Sequence, residues 1–544
     1  MFKPRREISP EKPLLHFKYN DPDIIPADLL PFAALCVDAL HKGYEKHLDA
    51  YLQKNLPVVM QTENWNSYQR DWAVTPDRLD EVLAAYENIV AVSVVEMSCF
   101  ALNEEQKHRI LEMARVCSKY GVYLIWEDMG YPDRKHVFAR AGDDKEFIAF
   151  LQENPQTFIF VDKVNGWGQY HLTRSMAMGY WLCGYSSAWG INVEDFWWYE
   201  QGYNRLYQEG DSRSDYYHPL FQRLGPSIEG MIVSILEFGC PEALMGQILV
   251  AAMLQGASII SFECADRMIA SGKTRTPLFD RVLYPLQAMA VNEQWLPGKA
   301  EVLEKIKAAY VADDWESELF CLPADQPFLD LYCPGRALDK VKKDNSSGSI
   351  LQSTGRYYVV PVVPAFARNQ AAAVFNTLLD SQCQDRRAFF DAHYPNPHDT
   401  DMCIVQVGKR WLFSHTEENA DVVQSFHNVT VAGFTMSGIF QPHSYMLLTE
   451  TDDGMTIHLN NFRSDANAAV YDNRNFSRSV YIESYIRDDC PFLGQNRETV
   501  LSFAGTPAIH AEGAAELFVR NSEGRTTVSL WHNGPVNLRV IKLK

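Results

Sequence analysis

The sequence predicts an α/β chain in two parts. A (β/α)8, TIM-like barrel is expected over residues 1–310 and a C-terminal all-β sandwich over 311–544. Three observations predict it. Between about residues 30 and 265, short continuously apolar runs alternate with helical patterns. Roughly eight such units over ~250 residues is the spacing of parallel strands covered by helices on both faces. After about residue 310 the runs become short and alternating, with turn residues between them at sandwich spacing. Acids also recur at the C-terminal ends of the predicted barrel strands, the rim where such barrels carry their sites. A doubly wound sheet is the structural rival, but no Gly-rich phosphate fingerprint follows the first strand.

Each element can be justified in turn. PFAALCVDAL (31–40) reads as a strand and HKGYEKHLDAYLQKN as its helix. PVVMQTENW (57–65) is a strand, followed by a helix that Thr75 caps with Pro76 just inside. NIVAVSVVEMS (88–98) is a strand, and the next helix ends at Gly121. VYLIWEDMG (122–130) and TFIFVDKVN (157–165) are the fourth and fifth strands, with helices near 143–153 and 169–182. WLCGYSSAWGINVEDFWWYE (181–200) holds the end of a sixth strand, and SIEGMIVSILEFGCPE (227–242) comes next, its strand and helix parts not separable by pattern. A helix, ALMGQILVAAMLQGA, then delivers the buried strand ASIISFECADR (257–267). DKVKKDNSSGS (339–349) is a polar linker, and residues 371–395 read as a helical insertion in the sandwich.

Composition narrows the function. The chain has 544 residues, a net charge of −19 and a pI near 5.3. No basic patch stands out, so nucleic acid is not an expected partner. The eleven cysteines form no CxxC pair, which argues against a zinc site or a disulfide framework. No run reaches transmembrane length, so no membrane insertion is expected. The opening MFKPRREISPEKPLLHF is basic but lacks an apolar core. The expectation is a cytoplasmic protein, or a secreted or cell-surface one whose leader was removed.

The densest stretch is 181–200. Glu194 and Asp195 sit between Trp189 on one side and Trp197, Trp198 and Tyr199 on the other. Flat rings beside carboxylates suit sugars, whose C–H faces stack on indole and whose bonds are cut by paired acids. Other acids at predicted strand ends are Glu63, Glu96, Glu127 with Asp128, Asp162 and Glu263; Glu242 follows a Gly-Cys-Pro turn. Taken singly, each also fits a helix cap or a surface acid, and the set is more informative than its members. Glycosidic cleavage needs one protonated carboxyl for the leaving oxygen and one carboxylate to activate water. Glu96, after the apolar VAVSVV, is the candidate acid. Asp195 or Glu194 would act with Glu242 on the water side. Lys163 could bind a sugar hydroxyl or an acid, with a barrel-rim salt bridge as the plain alternative. Trp65, Trp167, Trp189 and Trp197 are candidate sugar platforms, although each taken alone fits packing better. No G-x-S-x-G elbow, HExxH or His cluster is present, so no cofactor or metal is expected.

These residues carry a resemblance to glycoside hydrolase family 98, a family of endo-β-galactosidases that release blood-group oligosaccharides and of some endo-xylanases. PLLHFKYNDPDIIPADLLPF is similar to the family's opening strand and its Pro-Asp-Leu-x-Pro segment. SVVEMSCF resembles the strand bearing its general acid, which falls on Glu96. FVDKVN matches a strand ending in Glu/Asp-Lys. MAMGYWLCGYSSAWGINVEDFWW resembles the leader into an acidic pair, and SIEGMIVSILEFGCPEALM the segment whose acid falls on Glu242. STGRYYVVPVVP, LNNFRSDAN and NRETVLSFAG resemble the family's C-terminal domain. The pair here is Glu-Asp where the family has Asp-Asp, which favours Asp195. Cys240 stands where an acid is expected and Gly230 where a His is.

The resemblance implies an inverting, metal-independent endo-glycosidase acting on internal β-1,4 bonds of a complex glycan. β-Galactosyl linkages of blood-group or mucin glycans come first and xylan second. A non-catalytic carbohydrate-binding relative is the alternative from another class, motivated by the changes at 230 and 240.

Overall fold

The computed structural model describes residues 2–64, 73–97, 104–128, 144–193, 242–309, 402–462 and 496–543, less 20, 165–169, 183, 263–267, 272, 416–422 and 442–443, together with Phe138, Ala141 and Thr400. Eight parallel strands close into a barrel in sequence order. They are β1 (Leu14–Phe17), β2 (Ala33–Asp38), β3 (Val58–Asn64), β4 (Ile89–Val95), β5 (Tyr123–Asp128), β6 (Phe158–Val164), β7 (Trp189–Val193) and β8 (Ile259–Phe262). The helices described around them are α1 (Glu45–Gln53), α2 (Pro76–Ala85), α3 (Glu104–Tyr120), α4 (Lys145–Glu153), α5 (Tyr170–Leu182) and α6 (Glu242–Leu254). Two more, α7 (Tyr284–Asn292) and α8 (Lys299–Ala309), follow the barrel. A small ribbon, β9 (Ala270–Ser271) with β10 (Thr274–Arg275), follows β8.

The predicted barrel is present, but its staves are numbered differently. The run at 31–40 is the second strand. The first is the four-residue LLHF, which pairs with both β2 and β8 and so closes the barrel. FVDKVN is therefore the sixth strand and Trp189–Val193 the seventh. The next described stave after β7 is β8, Asn192 standing opposite Ser261. Glu242 opens α6, and residues 227–241 lie outside the described residues.

Period-two alternation sorts the strand residues. Leu14, Val59, Ala91, Tyr123, Ile125, Ile159, Val161 and Ile259 fill the barrel interior as one apolar cluster. Gly190 lies in this layer because nothing larger fits: a Cβ there would stand 2.6 Å from the Ile259 Cβ. The alternate residues pack outward on the helices. Phe160, for example, stacks on Tyr180 of α5 with centroids 4.0 Å apart. Helix ends follow the sequence signals. The Thr75 hydroxyl accepts from the Arg78 amide at 3.1 Å, with Pro76 behind it. Gly121 ends α3 at φ +66, pressed against the Lys3 carbonyl, where a Cβ would have no room. Arg5 gathers the helix C-termini beneath the barrel, donating to the carbonyls of Leu83, Tyr86, Ile89 and Tyr120.

The sandwich comprises β11 (Cys403–Val407), β12 (Arg410–Ser414), β13 (Gln424–Val431), β14 (Phe434–Phe440), β15 (Tyr445–Thr451), β16 (Gly454–Asn460), β17 (Arg497–Ala504), β18 (Ala508–Glu512), β19 (Glu516–Ser522), β20 (Arg525–His532) and β21 (Pro535–Ile541). One antiparallel sheet runs β11-β12-β15-β16-β21-β18 and the other β13-β14-β17-β20-β19. Between them lies a core that includes Phe413, Met446, Leu448, Phe426 and Leu530. The first sheet is buried on both faces along β12 and the first half of β15: Leu412, Tyr445 and Leu447, from the side away from the sandwich core, belong to the barrel's own apolar core. The helical insertion expected at 371–395 lies outside the described residues.

Candidate active site

The same alternation decides which strand-end acids reach the barrel mouth. On β5, Tyr123 and Ile125 point inward, so Glu127 does too, and Asp128 points to the helices. Glu127 is fully buried. Its Oε2 accepts from Lys18 Nζ at 2.7 Å and from Asn192 Nδ2 at 2.7 Å. His16 Nδ1 lies 3.6 Å from Oε1 and 3.3 Å from the Ser261 hydroxyl. These groups come from β1, β5, β7 and β8 and its neighbours, and they converge because His16, Ser261, Asn192 and Lys163 share one register layer. A buried carboxylate is tolerable here because it faces an ammonium and an amide.

Glu96 stands immediately after β4. Its backbone is left-handed, φ +59, which a residue with a side chain adopts only under constraint. The constraint is visible: its amide donates to the Glu127 carbonyl at 2.9 Å, extending the β4–β5 ladder past the strand end. The turn lifts the carboxyl to the mouth, where it is 25% exposed, while Lys163 beneath is 2% exposed and bonded to it. Two ion pairs thus stand at the mouth, Glu96 with Lys163 and Glu127 with Lys18.

The other acids face the helical shell. Glu63 pairs with Arg109 of α3, because an irregularity between Gln61 and Glu63 reverses the alternation on β3. Asp128 accepts from the Trp126 indole at 3.1 Å. Asp162 meets Arg174 of α5 at 3.0 Å, both buried. Burial pushes the Asp162 carboxyl up to about 6, with Arg174 pulling it back. A perturbed acid of this kind is a site candidate on titration alone, but it lies outside the lumen.

Of the residues singled out from the sequence, Glu96 and Lys163 are brought together. Glu242 occupies the first position of α6, and its side chain lies outside what the structure describes. Glu194, Asp195, Trp65, Trp167 and Trp197 also fall outside the described residues. Trp189 is corrected. It opens β7 at the end of the barrel opposite the mouth, is fully buried, and donates its indole N–H to the Gln255 carbonyl at 3.1 Å. It is a packing residue and not a sugar platform. His16, Lys18, Asn192 and the hub role of Glu127 were missed. Continuing the inward phase of Leu14 and of Ile125 by two residues reaches His16 and Glu127.

Among the described residues no three His, Cys, Asp or Glu side chains gather as a metal site would require, and no helix is long and apolar enough to cross a membrane. An eight-stranded parallel barrel with a carboxylate-rich C-terminal mouth and a sandwich packed on it is an architecture of carbohydrate-active hydrolases. The family model for glycosyl hydrolase family 98 matches residues 3–296, and that for the family's C-terminal domain matches 299–543. The chain belongs to glycosyl hydrolase family 98.

A curated relative, the blood-group-substance endo-1,4-beta-galactosidase of Clostridium perfringens, is 22% identical over 516 residues. The match covers 85% of this chain, which spans 60% of that relative's length. The catalytic module of a family 98 glycoside hydrolase from Streptococcus pneumoniae TIGR4 superposes in its native form with a TM-score of 0.72 at 19% identity. That match covers 98% of this chain and 100% of the module. The same module bound to the LewisY pentasaccharide blood group antigen gives 0.72 at 18% identity over the same shares. With the H-disaccharide antigen it gives 0.71 at 19%, again over the same shares.

Proposed function

We propose that this protein is an inverting endo-acting glycoside hydrolase that cuts internal β-1,4-galactosyl linkages in blood-group-type glycans. The observation that carries the reading is Glu96: a carboxyl raised to the barrel mouth on left-handed backbone and gripped by the buried Lys163. Rim residues held off their ordinary backbone region mark sites where geometry is over-determined by the surroundings. The C. perfringens relative and the sugar-bound pneumococcal module support the substrate class.

In this mechanism Glu96 protonates the departing glycosidic oxygen. Lys163 orients the acid, and the neutral floor of Glu127, Lys18 and Asn192 offers donors and acceptors to the sugar hydroxyls. Asp195, with Glu194 as its alternative, and Glu242 position and deprotonate the attacking water. Inversion requires roughly 6.5–9.5 Å between the acid and the water-side carboxyls, to leave room for that water.

The test is incubation with H-type and LewisY-type glycans, other galactosides and xylans, read by product mass, with proton NMR of the first-formed anomer. The reading expects galactosyl cleavage with an α-configured new reducing end. Xylan cleavage alone would overturn the substrate, and a β-anomer the stereochemistry. Glu96→Gln should keep the fold and lose ~10²-fold or more in rate. Near-normal hydrolysis of an unactivated glycan by that variant would remove Glu96 from the acid role.

A further inference from the structure

The helix that begins with Glu242 is held by the sandwich as well as by the barrel. Helix α6 packs against β7 on one side and against β12 and β15 on the other. Three successive contacts tie its first two turns to the C-terminal domain. The Ala243 amide, adjacent to Glu242, donates to the Phe462 carbonyl at 3.2 Å. At Gly246 the helix lies so close to Tyr445 that a Cβ would stand 2.5 Å from its ring. A glycine inside a helix costs up to about 1 kcal/mol, and this approach is its reason. The buried Gln247 amide donates to the Ser414 hydroxyl at 2.8 Å and to the carbonyls of His415 at 3.2 Å and Ser444 at 3.0 Å.

The sandwich side of this contact is itself fixed. The Phe462 amide donates to Asn460 Oδ1 at 2.8 Å, and Asn460 Nδ2 donates to the Arg281 carbonyl at 2.8 Å. The Arg281 guanidinium lies 5.3 Å from the Phe462 ring centroid and donates to the Asn533 carbonyl at 3.0 Å. Gln247 stands about 7.5 Å along the helix axis from Glu242, five residues at 1.5 Å each. A shift of the sandwich against the barrel therefore moves the start of α6 directly.

We propose that the C-terminal sandwich is part of the catalytic apparatus, with Gln247, Gly246 and Phe462 as positioning residues that set where Glu242 stands at the barrel mouth. The proposal rests on the reading of Glu242 as a water-side acid. It makes the sandwich a determinant of turnover and not of substrate affinity.

The test compares four variants of the full chain on the glycan that the wild type cleaves fastest. Gln247→Leu removes the amide shared among the three acceptors at nearly constant volume, and Ser414→Ala removes one acceptor more gently. Arg410→Ala cuts a different point of the same interface, the ion pair to Glu301 at 2.8 Å, away from α6. Glu242→Gln tests the underlying reading.

Gln247→Leu should lower kcat ~10–100-fold, the scale of an ångström misplacement. KM should stay within about threefold, and the acid limb of the kcat/KM profile should move. Ser414→Ala should do the same more weakly, and it decides alone if Gln247→Leu does not fold. Arg410→Ala should lose stability and keep kcat. Wild-type kcat in the folded Gln247 and Ser414 variants, with Glu242→Gln inactive, overturns the coupling alone. So does an equal kcat loss in Arg410→Ala, which would signal general loosening. An active Glu242→Gln removes the reading of Glu242 and this proposal together.

Discussion

Replacing Glu127 by Gln changes one charge at constant shape in the most enclosed part of the mouth. The carboxylate is fully buried and its partner Lys18 is 8% exposed, 2.7 Å away. At an effective dielectric of about 20, two charges at that distance attract by about 6 kcal/mol. Withdrawing one partner of a buried pair costs about 3–5 kcal/mol net. A second route sets a ceiling on this cost, because Lys18 can escape it by giving up its proton. At pH 7 that costs about 1.36 × (10.4 − 7), or about 4.6 kcal/mol; at pH 9 it costs only about 2 kcal/mol. Glu127→Gln should therefore be about 3–4.5 kcal/mol less stable than the wild type at pH 7. The gap should shrink toward about 2 kcal/mol at pH 9, and Lys18→Met added to Glu127→Gln should recover much of it. Urea unfolding followed by tryptophan fluorescence at the two pH values measures this directly. A gap below 1 kcal/mol, or one that neither narrows with pH nor responds to Lys18→Met, would refute the claim that Lys18 and Glu127 form the balanced pair under the mouth.

Three further outcomes follow from other parts of the molecule. Lys163→Met should fold normally and lose ~10–100-fold in kcat, since Glu96 loses the group that aims it; circular dichroism and steady-state kinetics check both halves. Arg5→Met should destabilise the chain by about 3 kcal/mol, because one guanidinium serves four carbonyls, and thermal unfolding reads it. His532, buried in the sandwich with Nδ1 2.8 Å from the Gly534 carbonyl and Nε2 2.9 Å from the Thr499 hydroxyl, is depressed to about 4, chiefly by burial. The folded state thus binds fewer protons than the unfolded between pH 6.5 and about 4, and stability falls as pH drops through that window, by about 3 kcal/mol in all. Comparing urea midpoints at pH 7 and 4.5 for the wild type and His532→Gln should show the wild type losing more; equal losses would count against it.

Much of the barrel was legible because parallel strands covered on both faces are written as apolar runs. What was not legible is informative. LLHF is too short to stand out as a strand by pattern; the family resemblance marked it as an opening strand, and its pairing with β8 makes it the closing stave. The strand-end acids were visible as a set, but Asp162 and Lys163 are neighbours whose side chains go to opposite faces. Phase had to be anchored on Ile159 and Val161 to separate shell from lumen. Glu63 would have been misassigned even then, because an irregularity in β3 flips it. Trp189 was read with the acids that follow it in sequence, although it opens β7 at the end of the barrel opposite the mouth. In the sandwich, YMLL and RWLF depart from the alternation expected there, because β12 and β15 are covered on both faces where these residues lie.

That doubly covered sheet bears on how such a chain can be divided or recombined. The two family matches adjoin between residues 296 and 299, an inviting place to cut. Severing the chain there would bare Leu412, Tyr445 and Leu447 on one fragment and their barrel partners on the other, and would leave Gln247 without its acceptors. The modules are separable as text and inseparable as solutes. Exchanging a sandwich between relatives would require carrying the matching face of α6 with it, so the unit that can be passed on intact is the pair.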